Sequence, residues 1–133
     1  MEDLSTAIQS HRALVVGAVG NRRVIKHPIG IADCHLVELR LDALGSGQEI
    51  RQFAEKQRAS HPLLLTARHP DEGGLNDLSC PQRAGILTDF LPLGTLLDLE
   101  LRSLPEMSAL WEEAKDRGLI RIVSWHDFER CPS

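Results

Sequence analysis

At 133 residues, 42% of them hydrophobic, the chain has the length of one domain and enough apolar content to bury a core of ordinary size, which excludes disorder. Its 15 Lys and Arg against 19 Asp and Glu leave a formal charge of -4, and no block of like charge occurs, so the basic face that grips a phosphate backbone is missing and nucleic acid is not expected as a partner. Cys34, Cys80 and Cys131 are odd in number and form no CxxC pair, which points away from a disulfide framework or zinc knuckle and towards a reducing cytoplasm.

The elements follow in chain order. The first apolar run, Ala13–Val19, has strand length. It falls far short of the roughly 20 residues of a membrane span, and it follows the mixed charges of Glu2, Asp3 and Arg12 rather than a signal-peptide flank, so no membrane partner is expected. Between Asn21 and Cys34, Pro28 and Gly30 interrupt any long helix and predict an irregular crossover. A second strand covers Leu36–Leu41. In Gln48–Arg58, Ile50, Phe53, Ala54 and Gln57 fall at i, i+3, i+4 and i+7, so one mostly apolar stripe forms when the segment coils. A third strand covers Leu63–Ala67, and a helix follows over Pro81–Phe90, with Ser79 and Gln82 spaced as a capping box. The fourth strand is Leu96–Leu101. The spacing of Met107, Leu110, Trp111 and Ala114 predicts a helix over Leu104–Arg117, with a capping box at Ser103 and Glu106 and a stop at Gly118. Ile120–Trp125 is the fifth strand.

Strands alternating with helices argue for parallel strands joined by crossovers, the α/β class. Side chains alternate along a strand, so residues of one parity share a face. The even positions include Glu38, Arg40 and Asp42, then Thr66 and Arg68, then Asp98, Glu100 and Arg102, and finally Ser124 and His126, whereas the odd ones are mostly Leu and Val. An antiparallel sheet with one wet face gives the same alternation without any function. Crossover helices favour the other reading: a barrel whose outer face packs on helices and whose lumen holds paired charges near the carboxyl ends of the strands, where (β/α) barrels place their active sites.

Four stretches, VELRLDAL at 37–44, LLLTARHPDEGG at 63–74, LLDLEL at 96–101 and IVSWHDF at 122–128, together resemble the type I 3-dehydroquinate dehydratases of the shikimate pathway. They occur in that family's order and span roughly residue 14 to the end of the chain. The resemblance implies a (β/α)8 TIM barrel, of which residues 1–133 hold about the first five βα units as a single partial barrel domain. It implies a small-molecule substrate, 3-dehydroquinate, bound through a lysine Schiff base and dehydrated with no cofactor. His126 matches the general acid/base, a role suited to a side chain type that exchanges protons near neutral pH, and Glu72 matches the carboxylate that orients it. Glu38, Arg40 and Arg68 match substrate-contacting positions, Arg forks being suited to a carboxylate and hydroxyls. Asp42, Asp98 and Glu100 match recurrent polar positions and are read as supporting groups.

Without its motif His126 reads as a core histidine satisfied by Ser124 or a carbonyl, and Arg68 with Glu72 as an exposed loop pair worth little. Gly73 and Gly74 instead suggest a loop with special backbone angles. His11, His27, His35, His61 and His69 lack metal-site spacing and are read as surface or structural; no metal is expected. Trp111, on its helix stripe, and Trp125, outward against helices, are read as packing. The resemblance places the imine lysine on the strand after that of the histidine, whereas Lys26, Lys56 and Lys115 fall in the first crossover and in predicted helices. These residues alone are therefore expected to bind rather than turn over, or to act as a non-catalytic half barrel that takes a small carboxylate or assembles with a partner. Unpaired edges on the first and fifth strands predict a homo-oligomer or poor solubility.

Overall fold

Five short strands run parallel in one sheet whose spatial order follows the sequence, β1 (Val16–Val19), β2 (Leu36–Arg40), β3 (Leu63–Thr66), β4 (Leu96–Glu100) and β5 (Ile120–Ser124), in a computed structural model that describes residues 3–129. Every neighbouring pair is parallel. A doubly wound sheet reverses its strand order at a switch point, whereas a barrel adds each strand beside the last. Unbroken sequential order is therefore the winding of a (β/α) barrel, and the five strands form part of one.

Strand parity assigns the two faces as expected. Val37, Leu39, Leu63, Leu65, Leu97 and Leu99 are buried at 1% exposure or less and meet the helical layer. There, α4 (Gln48–Gln57) contributes Ile50, Phe53 and Ala54, α5 (Cys80–Phe90) contributes Leu87 and Phe90, and α6 (Ser108–Asp116) contributes Leu110 and Ala114. Each such buried Leu, Ile or Phe stabilises the fold by about 1.5–3 kcal/mol, so this layer dominates its energetics. The opposite face is apolar only near the strand starts, where Leu36, Leu64 and Leu96 pack with Leu4, Leu14, Ile120 and Ile122. Leu4 belongs to a short helix, α1 (Leu4–Gln9), which hydrophobic spacing did not reveal. Beyond that patch this face turns polar towards the strand ends.

The predicted capping box of α5 forms: Ser79 Oγ accepts from Gln82 N at 3.2 Å, and Gln82 Oε1 accepts from Ser79 N at 2.8 Å. The one predicted for Ser103 and Glu106 does not. Ser103 Oγ donates to Glu100 Oε1 at 2.8 Å and accepts from Arg83 Nη1 at 3.3 Å, so residues 101–103 form a 3-10 turn and α6 starts only at Ser108. Gly118 ends that helix with φ +80°, as expected. The irregular crossover holds α2 (Arg22–Lys26), capped by Asn21 Oδ1, and a 3-10 turn at Ile31–Asp33 entered through Gly30 at φ +85°. Trp111 packs on the core and carries the Arg121 guanidinium 4.7 Å from its ring, but Trp125, expected to pack outward against helices, is half exposed. Cys131 lies outside the described residues.

β1 and β5 are the edges of the sheet, and Val15, Val16, Val123 and Trp125 beside them are 45–54% exposed. Unpaired parallel edges bearing apolar side chains recruit further strands. In sedimentation equilibrium at micromolar concentration, the 133-residue polypeptide on its own is expected to run heavier than its 14.8 kDa monomer mass. A clean monomer contradicts that expectation.

Candidate active site

The carboxyl ends of β2, β3, β4 and β5 each deliver polar side chains to one face. From β2, Glu38 Oε2 accepts a hydrogen bond from Thr66 Oγ1 at 2.7 Å, and Arg40 forks onto Asp42, with Nε and Nη2 at 3.0 and 2.9 Å from its two oxygens. Asp42 itself sits in a single helical turn, α3 (Leu41–Leu44), where the chain leaves the strand one residue earlier than its hydrophobic pattern suggests. That turn brings the carboxylate to the backbone N–H groups of Arg68 at 3.1 Å and Leu75 at 2.9 Å, so Asp42 ties the end of β2 to the loop after β3. Burial by itself raises the Asp42 pKa, but the bonds from Arg40, Leu75 and Arg68 outweigh it and hold the carboxyl below its ordinary range.

Arg68 lies 6% exposed just beyond β3. Its Nη1 donates to Asp98 Oδ1 at 3.2 Å, Glu100 Oε2 at 2.8 Å and Ser124 Oγ at 2.8 Å, and its Nη2 donates to Asp98 Oδ2 at 3.2 Å. Ser124 in turn donates to Asp98 Oδ1. Burial opposes the guanidinium charge, but the bond to Asp98 and the fields of Asp98, Glu100 and Glu38 prevail and raise its pKa. Glu100 faces two ways, because its other oxygen accepts from Arg83 Nη1 at 3.1 Å. A buried carboxylate is tolerated when it is paired and hydrogen-bonded, and here two arginines do so.

After Arg68 the chain turns sharply. His69 Nδ1 accepts from Asp71 N at 2.9 Å and caps the 3-10 turn Pro70–Glu72. Gly73 follows at φ +92°, and at Gly74 a Cβ would collide with the Arg68 carbonyl oxygen, so only glycine fits there. This tight return aims Glu72 inward at 2% exposure, where Oε1 accepts from the backbone N of His126 at 2.8 Å and lies 3.1 Å from its Nδ1. The imidazole is 35% exposed, and the Phe128 ring stacks 6.5 Å away at 18°. Glu72 Oε2 has no hydrogen bond but lies 2.7 Å from Arg102 Nε.

All five sequence-predicted site residues, Glu38, Arg40, Arg68, Glu72 and His126, thus reach the strand-end region of one face. Glu72 and His126 meet directly. Arg68, bonded directly to Ser124 of β5, is neither exposed nor a loop pair; it is the hub of the β3–β4–β5 ends. Ser124 bonds Arg68 and Asp98 rather than His126. Asp42, Asp98 and Glu100 hold the arginines in place, as their reading as supports anticipated. Sequence reasoning missed Arg83 and the partner of Arg102. Arg83 had a signal, since it precedes the buried Leu87 and Phe90 by four and seven residues and so shares their helix face. Parity placed Arg102 on the polar face but gave no signal for its partner, because its direction depends on the 3-10 turn that replaces the predicted strand end.

A carboxylate bonded to both the backbone and Nδ1 of a histidine fixes the ring, leaving Nε2 as the nitrogen that can exchange protons with a ligand. The adjoining arginines and Glu38 are of the chemical kind that hydrogen-bonds carboxylates and hydroxyls. Among the described residues no group of His, Cys, Asp and Glu is arranged to hold a metal ion.

Residues 19–133 match the family described as type I 3-dehydroquinase. The 3-dehydroquinate dehydratase of Methanosarcina mazei is 34% identical over 107 residues, covering 73% of this chain and 43% of that protein. The Enterococcus faecalis protein of the same name is 33% identical over 110 residues, covering 76% of this chain and 44% of its own length. This chain therefore spans under half the length of those two relatives. The solved structure of 3-dehydroquinate dehydratase from Enterococcus faecalis superposes with a TM-score of 0.75 at 28% identity, covering 90% of this chain and 56% of that one.

Two substitutions probe the scaffold. Gly74→Ala forces its methyl against the Arg68 carbonyl and is expected to lower stability by about 1–3 kcal/mol in urea unfolding. Asp42→Asn is expected to cost about 1–3 kcal/mol at pH 7. Because the folded Asp42 pKa is depressed, its contribution is complete above the unfolded value of about 3.9 and is lost as pH falls through the lower folded value, so the gap between variant and parent narrows in acid. A gap that is the same at pH 7 and pH 3 contradicts this account of Asp42.

Proposed function

This chain belongs to the type I 3-dehydroquinase family, and from that premise we propose that its strand-end site binds 3-dehydroquinate and performs the proton transfers of its dehydration to 3-dehydroshikimate, a step of the shikimate pathway. The observation that carries this reading is the His126–Glu72 pair, 3.1 Å apart at the strand ends and beside Arg68, Arg40 and Glu38.

In this scheme the substrate carbonyl condenses with a lysine amine and releases one water. The protonated imine draws electrons from the neighbouring carbon, His126 Nε2 takes the proton that leaves that carbon, and the electron pair expels the hydroxyl group. The same nitrogen returns the proton to the departing oxygen, forming the second water, and hydrolysis of the imine frees the product. Glu72 holds the ring in place throughout. Arg40 and Glu38 contact the substrate's oxygens, and Arg68 presents the small part of its surface that Asp98, Glu100 and Ser124 leave uncovered.

The imine lysine is proposed to come from a further strand beyond β5, in the same polypeptide or in another. Lys26, Lys56 and Lys115 stand on α2, α4 and α6, the helical layer behind the sheet. That placement also favours a second reading, a non-catalytic half barrel that binds a small carboxylate and assembles with a partner through its edges.

Borohydride treatment of these 133 residues with 3-dehydroquinate separates the readings. Reversible binding, seen as chemical-shift changes at His126 and Arg40, is expected with no mass adduct; an adduct on Lys26, Lys56 or Lys115 overturns the lysine argument. When a chain supplying the remaining strands and a lysine is added, turnover is expected, and His126→Ala lowers it by about 10²–10⁴-fold. Binding that persists without any turnover selects the half-barrel reading.

A further inference from the structure

Glu72 touches His126 and is itself fully buried, with no exposure of its side chain. A carboxylate in that position needs a cation. If its sole partner were His126, the buried charge would be compensated only while the imidazole carried two protons, and a histidine held in that state cannot accept another. The second oxygen of Glu72 resolves this. Oε2 makes no hydrogen bond, yet it stands 2.7 Å from Arg102 Nε, a permanent cation reaching in from the 3-10 turn after β4.

The surroundings increase the demand on that cation. A cleft of about 390 Å³ beside His126 is lined by Asp71, Arg102, Trp125, Asp127, Phe128 and Glu129. Among the described residues, the charged groups around this cleft are thus Glu72 and Asp71 from the turn after β3, Asp127 and Glu129 from the segment of His126 itself, and Arg102. Four are carboxylates, and Arg102 is the one cation among them. Its Nη1 also donates to Asp71 Oδ2 at 3.3 Å, so one guanidinium serves both Glu72 and Asp71. The Arg102 side chain is 42% exposed, and a pair with two exposed partners would contribute little, but here one partner is sealed from water.

We propose that Arg102 is a positioning residue for the acid/base pair: it neutralises Glu72 through Oε2, leaves Oε1 to hold His126, and thereby lets the imidazole rest neutral and ready to take a proton. The inference rests on the proposed role of His126 as acid/base, but its test needs no substrate. In the 133-residue chain with isotope-labelled histidine, ring carbon and nitrogen shifts report the fraction of His126 that carries two protons. Arg102→Met is expected to raise that fraction at least about threefold at a pH where the parent is mostly neutral. Arg102→Lys, which keeps the charge, is expected to stay near the parent value. Adding Glu72→Gln to Arg102→Met should abolish the rise, because the buried charge is then gone.

An Arg102→Met protein with folded backbone shifts and an unchanged His126 fraction overturns the proposal, as does an Arg102→Lys protein that behaves like Arg102→Met. Should Arg102→Met fail to fold, Arg102→Gln is read by the same criterion. A chain that never processes 3-dehydroquinate leaves this result intact, whereas an unmoved protonation refutes it even where dehydration is observed.

Discussion

One buried guanidinium organises the polar end of this molecule. Arg68 bonds Asp98 and Glu100 from β4 and Ser124 from β5 while its own backbone N–H is held by Asp42 at the end of β2. Removing either side of such a network leaves an uncompensated charge away from water, a loss on the order of 3–5 kcal/mol. The strand ends are therefore held in one arrangement before any ligand arrives. The proposed proton transfers would depend on that fixity, since displacements of about 1 Å at reacting groups cost large factors in rate.

The order of chemical tasks follows the order of the strands. β2 and the turn after it supply Glu38, Arg40 and Asp42, the segment just past β3 supplies the arginine hub and the glycine-closed return to Glu72, β4 supplies the carboxylates, and β5 ends in Ser124 with His126 two residues beyond. Parallel strands with helical crossovers bring all carboxyl ends to one side, so residues remote in sequence need only lie just past a strand to meet. His126 and Glu72 are 54 residues apart, and the fold brings them within hydrogen-bond reach without a dedicated connection.

Much of this was legible beforehand. The alternation of Glu38, Arg40 and Asp42 with Val37, Leu39 and Leu41 revealed the polar face, because period two survives wherever a strand has chemically different sides. The helices at 48–58 and 81–90 were legible from apolar spacing and a capping box. The start of α6 was not, because Ser103 has a stronger tertiary partner in Glu100 than the local cap that its spacing offered. α1 escaped notice for a related reason: its apolar residues are too few for a periodic stripe and gain their meaning only from the patch of Leu36, Leu64 and Leu96. Asp42 looked like the last residue of a strand. Its work as a clamp on the next loop depends on the turn at Leu41, which side-chain periodicity does not encode.

Glu100 gives the sheet an unusual property. One of its oxygens meets Arg68 on the polar side and the other meets Arg83, which rides on α5 in the helical layer. Sheets of this kind normally insulate their two sides with aliphatic side chains, so that the outer shell can drift without consequence for the chemistry. Here a single carboxylate is a conductor through that insulation. The sequence of α5 is consequently less free to vary than its distance from the histidine suggests, and a change of tilt in that helix would be felt as a change of charge distribution at the mouth.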